Sequence, residues 1–239
     1  MTTFALILFS LFALAQSNEK NLAKKLSIGV SFSPDYSYRR LYSSDDNIFV
    51  DIRNKEGSPR FGFTTGIITS YKINNRFELE SGIQFSDKGD KYGFVLDDLI
   101  LPGDPFNERD DPSIPEKFTS EYHFYCVGIP VKINYYFLRK NFGLFISMGV
   151  SADYLIDAKI KNKSEFKDRT EKNSTTINNE DFNKLNIVGL TGFGIDYIIT
   201  PRIKFQLEPV FRYSFTPIDD TPLKGYLYSF GADFTLFFH

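Results

Sequence analysis

Residues 185–199, LNIVGLTGFGIDYII, and residues 203–215, IKFQLEPVFRYSF, decide the fold of this chain of 239 residues. In both stretches large apolar residues alternate with polar or small ones, and only the link Thr200-Pro201-Arg202 separates them. A period of two places successive side chains on opposite faces of an extended strand, and a short link joins antiparallel neighbours. The two stretches therefore predict a β-hairpin with one apolar face and one polar face.

The same alternation recurs along the rest of the chain and predicts eight strands in all. Most of them exceed the about 5–6 residues of an ordinary soluble strand and reach the about 9–11 residues that a tilted strand needs to cross a membrane. The predicted strands are residues 25–32, 61–73, 77–85, 125–137, 142–154, 185–199, 203–215 and 226–238.

The two faces of these strands differ sharply in composition. One face is apolar and uncharged, whereas the other holds many of the 16 glycines and a set of charged residues. An eight-stranded barrel encloses barely enough room for its own inward side chains, so the bulky apolar face must point outward, into lipid. The inward charges are Lys72, Glu78, Glu80, Lys132, Asp153, Asp196, Lys204, Glu208, Arg212 and Asp233. The predicted fold is thus all-β, an eight-stranded antiparallel up-and-down transmembrane β-barrel.

The lengths of the links agree with a membrane barrel. Short links at 74–76, 138–141 and 200–202 alternate with longer links elsewhere, as expected for periplasmic turns and extracellular loops. Aromatic girdles are predicted at both rims. The periplasmic girdle is Tyr71, Phe77, Tyr135, Phe137, Phe142, Tyr197 and Phe238, and the outer girdle is Phe61, Phe85, Tyr125, Tyr154, Phe215 and Tyr226. Pro130 and Pro209 fall inside predicted strands, where a missing N–H predicts a bulge at each.

The first residues have the features of an export signal. Phe4 to Ala15 form an apolar run that is too short to span a bilayer and ends in Ala13-Leu14-Ala15. We therefore expect a signal peptide at residues 1–15, a barrel domain at residues 16–239 and a location in the bacterial outer membrane.

Several stretches resemble one family, the PorT-like outer-membrane β-barrel proteins of Bacteroidetes. The resemblance lies in ELESGIQFSDKGDKY (78–92), VGIPVKINYYF (127–137), residues 192–215 and YSFGADFTLFF (228–238). It implies barrel positions and a place beside a type IX-like protein secretion system, but no catalytic residues. One departure is His239, which follows the terminal aromatic Phe238.

The residues offer little catalytic chemistry. The ten inward charges are interpreted as a structural network of ion pairs, as burial requires. There are two histidines; His123 lies in the apolar register, where capping of the membrane interface is the expected role, and His239 is terminal. The single cysteine, Cys126, falls in the inward register and excludes an internal disulfide. No catalytic, cofactor or metal site is predicted.

The loops are the remaining candidates for function. The link 86–124 is acidic, and its stretch DPFNERDDP (104–112) lacks the spacing of a calcium-binding loop. The link 157–183 predicts a mobile hairpin extension. A net charge of −2 gives no basic field for nucleic acid.

The function expected from the sequence is a non-enzymatic one. The barrel would have a plugged polar lumen and a structural or interaction role through long extracellular loops. The alternatives are an accessory barrel of a type IX-like secretion system, an outer-membrane hydrolase that uses His123, and a soluble periplasmic lipocalin-like ligand binder. The expected partners are outer-membrane lipid, the barrel-assembly machinery and an extracellular or secretion-system protein, and no nucleic acid.

Overall fold

A computed structural model describes residues 25–43, 48–95, 114–177, 182–219 and 222–238. The expected signal peptide, residues 1–15, lies outside the described residues. In chain order the described elements are β1 (Leu26–Tyr42), α1 (Ile48–Glu56), β2 (Gly57–Lys72), β3 (Phe77–Lys88), β4 (Asp90–Val95), β5 (Lys117–Arg139), β6 (Phe142–Glu165), β7 (Thr170–Thr176), β8 (Leu185–Thr200), β9 (Ile203–Ser214) and β10 (Lys224–Phe238).

Within the described ranges, no helix combines the length and apolar character needed to cross a membrane.

Eight of the strands close into a ring. The order around the ring is β1, β2, β3, β5, β6, β8, β9 and β10, with antiparallel pairing between all neighbours. The seam is the pairing of β1 with β10, which runs from Ile28↔Phe238 to Tyr42↔Lys224. This ring confirms the predicted eight-stranded antiparallel barrel. Closure leaves no open sheet edge, which is the condition for a β-structure to reside in lipid.

The two remaining strands build a sheet beyond the ring. β4 continues from β3 past Gly89 and pairs with β2 and β5, while β7 pairs with β6. β5 and β6 are 23 and 24 residues long, and their ends past Tyr125 pair with each other above the ring. We call this four-stranded sheet the extension; it comprises residues 90–95, 117–124, 158–165 and 170–176. The hairpin predicted within 157–183 is part of it.

Side chains alternate between the two faces of the barrel as the sequence predicts. Outward apolar side chains are strongly exposed, as at Met148 (73%) and Phe61 (64%), whereas the inward Glu208 is fully buried. The apolar face therefore points away from the lumen. The lipocalin-like alternative, in which that face would line a ligand cavity, is wrong.

Aromatic rings gather at both ends of the barrel on the outward face. At the rim with short turns, the rings of Phe77 and Tyr135 lie 5.2 Å apart between centroids. At the opposite rim, Phe85 and Tyr125 stack at 6.1 Å. These pairs belong to the two predicted girdles.

The predicted strand boundaries agree best with the observed ones at the short-turn rim and least at the opposite rim. The first strand was predicted to end at Phe32, but β1 continues to Tyr42. Pro34 interrupts its ladder with β10 only locally, since the pairing resumes in the same register at Asp35↔Gly231. A proline removes one donor without changing which face the following side chains occupy.

The bulges predicted at the two internal prolines are wrong. At Pro130 the pairing of β5 with β3 skips two positions and resumes in register, and at Pro209 the pairing of β9 with β8 does the same. The strands accommodate the missing N–H by omitting ladder bonds rather than by inserting a residue. The register shifts lie elsewhere, at Tyr125/Cys126, Tyr136/Leu138 and Ile198/Thr200.

Candidate functional site

The lumen holds the ten charged residues that the sequence placed inside. Nine of them form ion pairs, and Lys72 lies half-exposed at the short-turn end of β2. The pairs occur in successive layers along the barrel axis, because inward positions recur every second residue on each strand.

The layer nearest the short-turn rim centres on Glu78. Its carboxylate accepts hydrogen bonds from Lys204 (2.7 Å), Arg139 and Ser70. Beside it, the hydroxyl of Tyr136 donates to Asp196 at 2.8 Å. Several donors on one buried carboxylate offset the cost of removing its charge from water.

The middle layer centres on Lys132. Its ammonium lies 3.0 Å from Glu80 and 2.5 Å from Glu208, so one cation joins two carboxylates on different strands. Glu208 also accepts a hydrogen bond from Ser147, and Asn134 donates to Glu80 at 2.6 Å. These bonds link β3, β5, β6 and β9 across the lumen.

The next two layers use residues that the sequence reasoning missed. Arg212 bridges Asp233 and Asp35, with 2.8 Å to the latter, and Lys88 donates to Asp153 at 2.8 Å. Asp35 and Lys88 were missed because the predicted strands ended at Phe32 and Phe85. Continuing the alternation past those ends would have placed both inside.

Two small cavities lie between the packed side chains of the lumen. A cavity of about 20 Å³ lies beside Lys132, Arg212 and Asp233, and one of about 10 Å³ lies beside Lys88 and Asp153. A single water occupies about 10–15 Å³ by this measure. Each cavity is therefore of the size of a water molecule.

A cap of apolar side chains covers the outer end of the lumen. It consists of Phe124, Cys126, Leu155, Ala158, Phe182, Ile218 and Leu227. Cys126 is inward and buried, as the register predicted. Inert packing is the role this environment supports for the thiol.

A buried cluster of charges lies beside this cap. Arg39 pairs with Asp90 (3.2 Å) and Asp219 (3.0 Å), and its guanidinium stacks 4.4 Å from the ring centre of Tyr122. Burial raises the pKa of Asp219 above its ordinary value, and the charge of Arg39 opposes that rise. Arg53 of α1 joins the cluster through Asp90 at 3.3 Å. The cluster therefore ties β1, β4, α1 and the segment before β10 together.

His123 lies on the outward face at the outer girdle and is buried. Its Nδ1 is 3.1 Å from Asp87, which also accepts a hydrogen bond from Arg60. Within the described part of the chain, Asp87 is the side-chain hydrogen-bond partner of His123, and no serine or threonine hydroxyl forms a hydrogen bond with the His123 ring. A hydrolase needs a nucleophile in reach of the base. His239 lies outside the described residues.

The described ranges contain no group of three histidine, cysteine or acidic side chains that could hold a metal ion. The acidic stretch 104–112 lies outside them.

The outward face of the extension is rich in lysine. The pairs His123↔Lys159, Glu121↔Lys161 and Thr119↔Lys163 place three alternate lysines of β6 on this face. It bounds a groove of about 460 Å³. The opposite face carries aromatic rings, such as Phe94 and Phe118 at 5.5 Å.

Comparison with known proteins identifies the family to which this architecture belongs. A family model described as outer membrane protein beta-barrel domain matches residues 14–220. No curated protein matches the chain. Among solved structures, Neisserial surface protein A is similar with 11% identity, a TM-score of 0.42, and 88% of this chain and 96% of that chain covered.

Two further solved structures are similar at comparable levels. OprG from Pseudomonas aeruginosa has 9% identity and a TM-score of 0.42, with 90% of this chain and 96% of that chain covered. Ail of Yersinia pestis, in complex with the heparin analogue sucrose octasulfate, has 15% identity and a TM-score of 0.30, with 87% and 98% covered.

Proposed function

Because this chain belongs to the outer membrane protein beta-barrel domain family, we propose that it is a plugged, non-enzymatic barrel of the bacterial outer membrane that acts through its extracellular sheet. The observation that carries the first part is the packing of the lumen. Ion-paired layers fill the barrel and leave cavities of about 20 and 10 Å³. A hydrated solute needs far more space than one water molecule occupies.

The extension supports the second part of the proposal. β5 and β6 are about twice as long as the about 9–11 residues that cross a membrane. Residues beyond that length do not serve to span lipid. A rigid paired sheet that projects from the barrel presents fixed side chains to the outside, which is what a binding surface requires.

The test of the plugged lumen is conductance in a planar bilayer. We expect the folded protein to give no steps above background. A variant that weakens the cap and the charge cluster beside it, Phe124→Gly with Arg39→Gly, should also stay closed, because the ion-paired layers beneath remain. Stable conductance from the unmodified protein would overturn the proposal. Conductance from the variant alone would show that the cap, and not the ion-paired lumen, blocks the barrel.

A second candidate is an accessory barrel of a type IX-like secretion system. It is supported by the resemblance of residues 127–137 and 192–215 to PorT-like proteins and by the length of the extension, which offers a surface to a large partner. Its test is co-purification of the barrel with translocon components in mild detergent. Replacing the hairpin 159–176 by a short turn should abolish co-purification while the barrel stays folded; unchanged recovery of those components would exclude the extension as their contact.

A further inference from the structure

A cationic groove crosses the outward face of the extension. It has a volume of about 460 Å³ and is lined by side chains from all four strands of the extension. Its lysines are Lys91, Lys117, Lys161, Lys163 and Lys172, and its acidic residues are Glu121 and Glu165. The groove therefore presents more positive charge than its own carboxylates balance.

Two of these lysines have a carboxylate partner at the surface. Lys91 lies 3.5 Å from Glu121, with both side chains exposed. Lys163 pairs with Glu165, and these side chains are exposed as well. Ion pairs in water contribute little to stability, so an added anion competes with them easily. The lysines of the groove that form no ion pair within the described ranges are Lys117, Lys161 and Lys172, and all three are exposed.

The cross-strand pairing places two of the cations side by side. Lys163 of β6 lies directly opposite Lys172 of β7. Like charges at directly opposed positions of an antiparallel pair destabilise it. An anion bound between the two strands would remove that repulsion.

The groove lies above the membrane interface. On β5 beyond Tyr125 of the outer girdle, the pairs that reach it include Glu121↔Lys161 and Lys117↔Glu165. With a rise of about 3.3 Å per residue and a strand tilt of about 40°, these pairs lie roughly 10 and 20 Å above Tyr125. The headgroup layer of each leaflet is only about 5–8 Å thick. The groove is therefore open to anions in the water outside the membrane.

The width of the groove favours a chain of anionic groups over a single ion. Neighbouring strands lie about 4.8 Å apart, so Lys91 on β4 and Lys172 on β7 are separated by roughly 14 Å across the sheet. A single sulfate or phosphate contacts lysines at one point of that distance, whereas a linear polyanion contacts lysines on every strand. Lysine ammonium groups bind such oxyanions as point charges.

The remaining lining favours a polysaccharide over a protein or a nucleic acid. Among the described residues, no aromatic or aliphatic residue lines the groove. Protein interfaces depend on buried aromatic and aliphatic anchors, and single-stranded nucleic acids stack their bases on aromatic rings. The groove is lined instead by the side chains of Asn162, Asn173 and Ser174. Amides and hydroxyls both donate and accept hydrogen bonds, as the hydroxyl groups of a sugar do.

We propose that the groove binds an acidic polysaccharide, a sugar chain that carries sulfate or carboxylate groups, in the water outside the outer membrane. The anionic groups pair with the lysines, and the sugar hydroxyls bond to the amides and the hydroxyl between them. This inference rests on the proposed role of the extension as a binding surface and does not depend on the state of the lumen.

The experiment measures the binding of a labelled dextran sulfate fragment to the folded full-length protein in neutral detergent by fluorescence anisotropy. Uncharged dextran of the same length is the matched probe. The variant is K117Q/K161Q/K172Q, at three exposed positions, and the matched control is K25Q/K140Q/R202Q at the opposite rim, with the same change of charge. A charge-preserving variant, K117R/K161R/K172R, guards against loss of local structure.

We expect dextran sulfate to bind and uncharged dextran not to bind. Each lysine replaced by glutamine should weaken binding about threefold, as for an exposed ion pair, and the variant roughly 30-fold in all. The control and the arginine variant should bind as the unmodified protein does, and added salt should weaken binding. Unchanged binding by the glutamine variant, or equal binding of uncharged dextran, would overturn the inference and leave the plugged lumen, which conductance tests, unaffected.

Competition identifies the class of the anion. Polyglutamate, an oligonucleotide and inorganic sulfate, each at the same total charge, should displace the labelled fragment less well than unlabelled dextran sulfate does. Equal displacement by polyglutamate or by the oligonucleotide would overturn the polysaccharide in favour of an acidic protein or a nucleic acid. Equal displacement by inorganic sulfate would overturn the requirement for a chain.

Discussion

The barrel and the extension share strands but place charge on opposite faces. On β5 below Tyr125, outward residues such as Val131 are apolar and inward Lys132 is ion-paired. Above Tyr125 on the same strand, outward Lys117 is charged and inward Phe118 is aromatic. The medium outside the strand decides which face is apolar: lipid around the barrel, water around the extension. Charge inside the barrel is paired because burial demands it, and charge on the extension need not be.

The largest expected difference comes from removing the same side chain in each region. Glu208→Ala leaves Lys132 buried with one partner fewer and should cost about 3–5 kcal/mol of unfolding free energy. Glu165→Ala at the tip of β6 removes a solvent-exposed pair and should cause no measurable loss. Urea unfolding of the two variants from lipid vesicles measures both. Equal unfolding free energies for the two variants would mean that the lumen network does not stabilise the fold.

The second comparison exchanges residue types between the two regions of β5. Val131→Lys puts a charge on the lipid face and should cost about 2–4 kcal/mol near the bilayer midplane. Lys117→Val in the same outward register of the extension should leave stability within about 0.5 kcal/mol. The same unfolding measurement applies. A tolerated lysine at 131 would contradict the placement of this face in lipid.

The third prediction concerns the junction of the two regions at Gly89. A Cβ there would collide with the backbone carbonyl of Tyr122, and the residue exchanges two hydrogen bonds of 2.9 Å with the hydroxyl of Ser37. Gly89→Ala should therefore cost about 1–3 kcal/mol through overpacking.

The effect should be local. Trypsin should cut the lysines of the extension faster in this variant, while the unboiled barrel still migrates as a folded species on a gel. Thr175→Ala, at an exposed position of β7, is the comparison variant. Unfolding of the whole barrel by Gly89→Ala would show that the two regions are not separable.

The smallest expected effect is a pH dependence at the cap. The raised pKa of buried Asp219 means that the folded protein binds this proton more tightly than the unfolded chain does. Its contribution to stability is complete below the ordinary carboxyl pKa of 3.8 and is lost as the pH rises through the raised value.

Relative to Asp219→Asn, the unmodified protein should therefore gain stability as the pH falls from neutral towards 4. The difference between their heat-dissociation temperatures at several pH values measures this. Asp168→Asn, in the exposed turn of the hairpin, is the matched control. A difference that stays constant with pH would contradict the prediction.

The sequence predicts the barrel well because lipid imposes one simple pattern on every spanning strand. Alternation at 185–199 and 203–215 identifies strands, faces and turn without tertiary information. The alternation of apolar and polar residues is lost beyond the part of the strands that spans the lipid. The outer ends of β5 and β6 lie in water on one side, so apolar residues no longer fill their outward register. The extension is therefore recognised only from the backbone pairing in the structure.

The sequence predicts that charged residues pair inside the lumen, but it does not identify all of the residues that take part. Ten inward charges follow from register, yet Asp35 and Lys88 were left out because Pro34 and the polar run after Phe85 ended the predicted strands early. Which cation joins which carboxylate, such as Lys132 with Glu208, depends on how strands far apart in sequence are staggered around the ring. A single-sequence pattern does not contain that stagger.

The seam between β1 and β10 has a consequence for how the protein is made. It joins Ile28 to Phe238, so the bonds that close the ring connect nearly the two most distant parts of the described chain. Before β10 arrives, β1 and β9 each present a row of unpaired backbone groups, which lipid does not tolerate. Insertion must then be a late, concerted event with slow, long-range closure. A chain cut short before β10 should accumulate as an uninserted species and not as a smaller barrel.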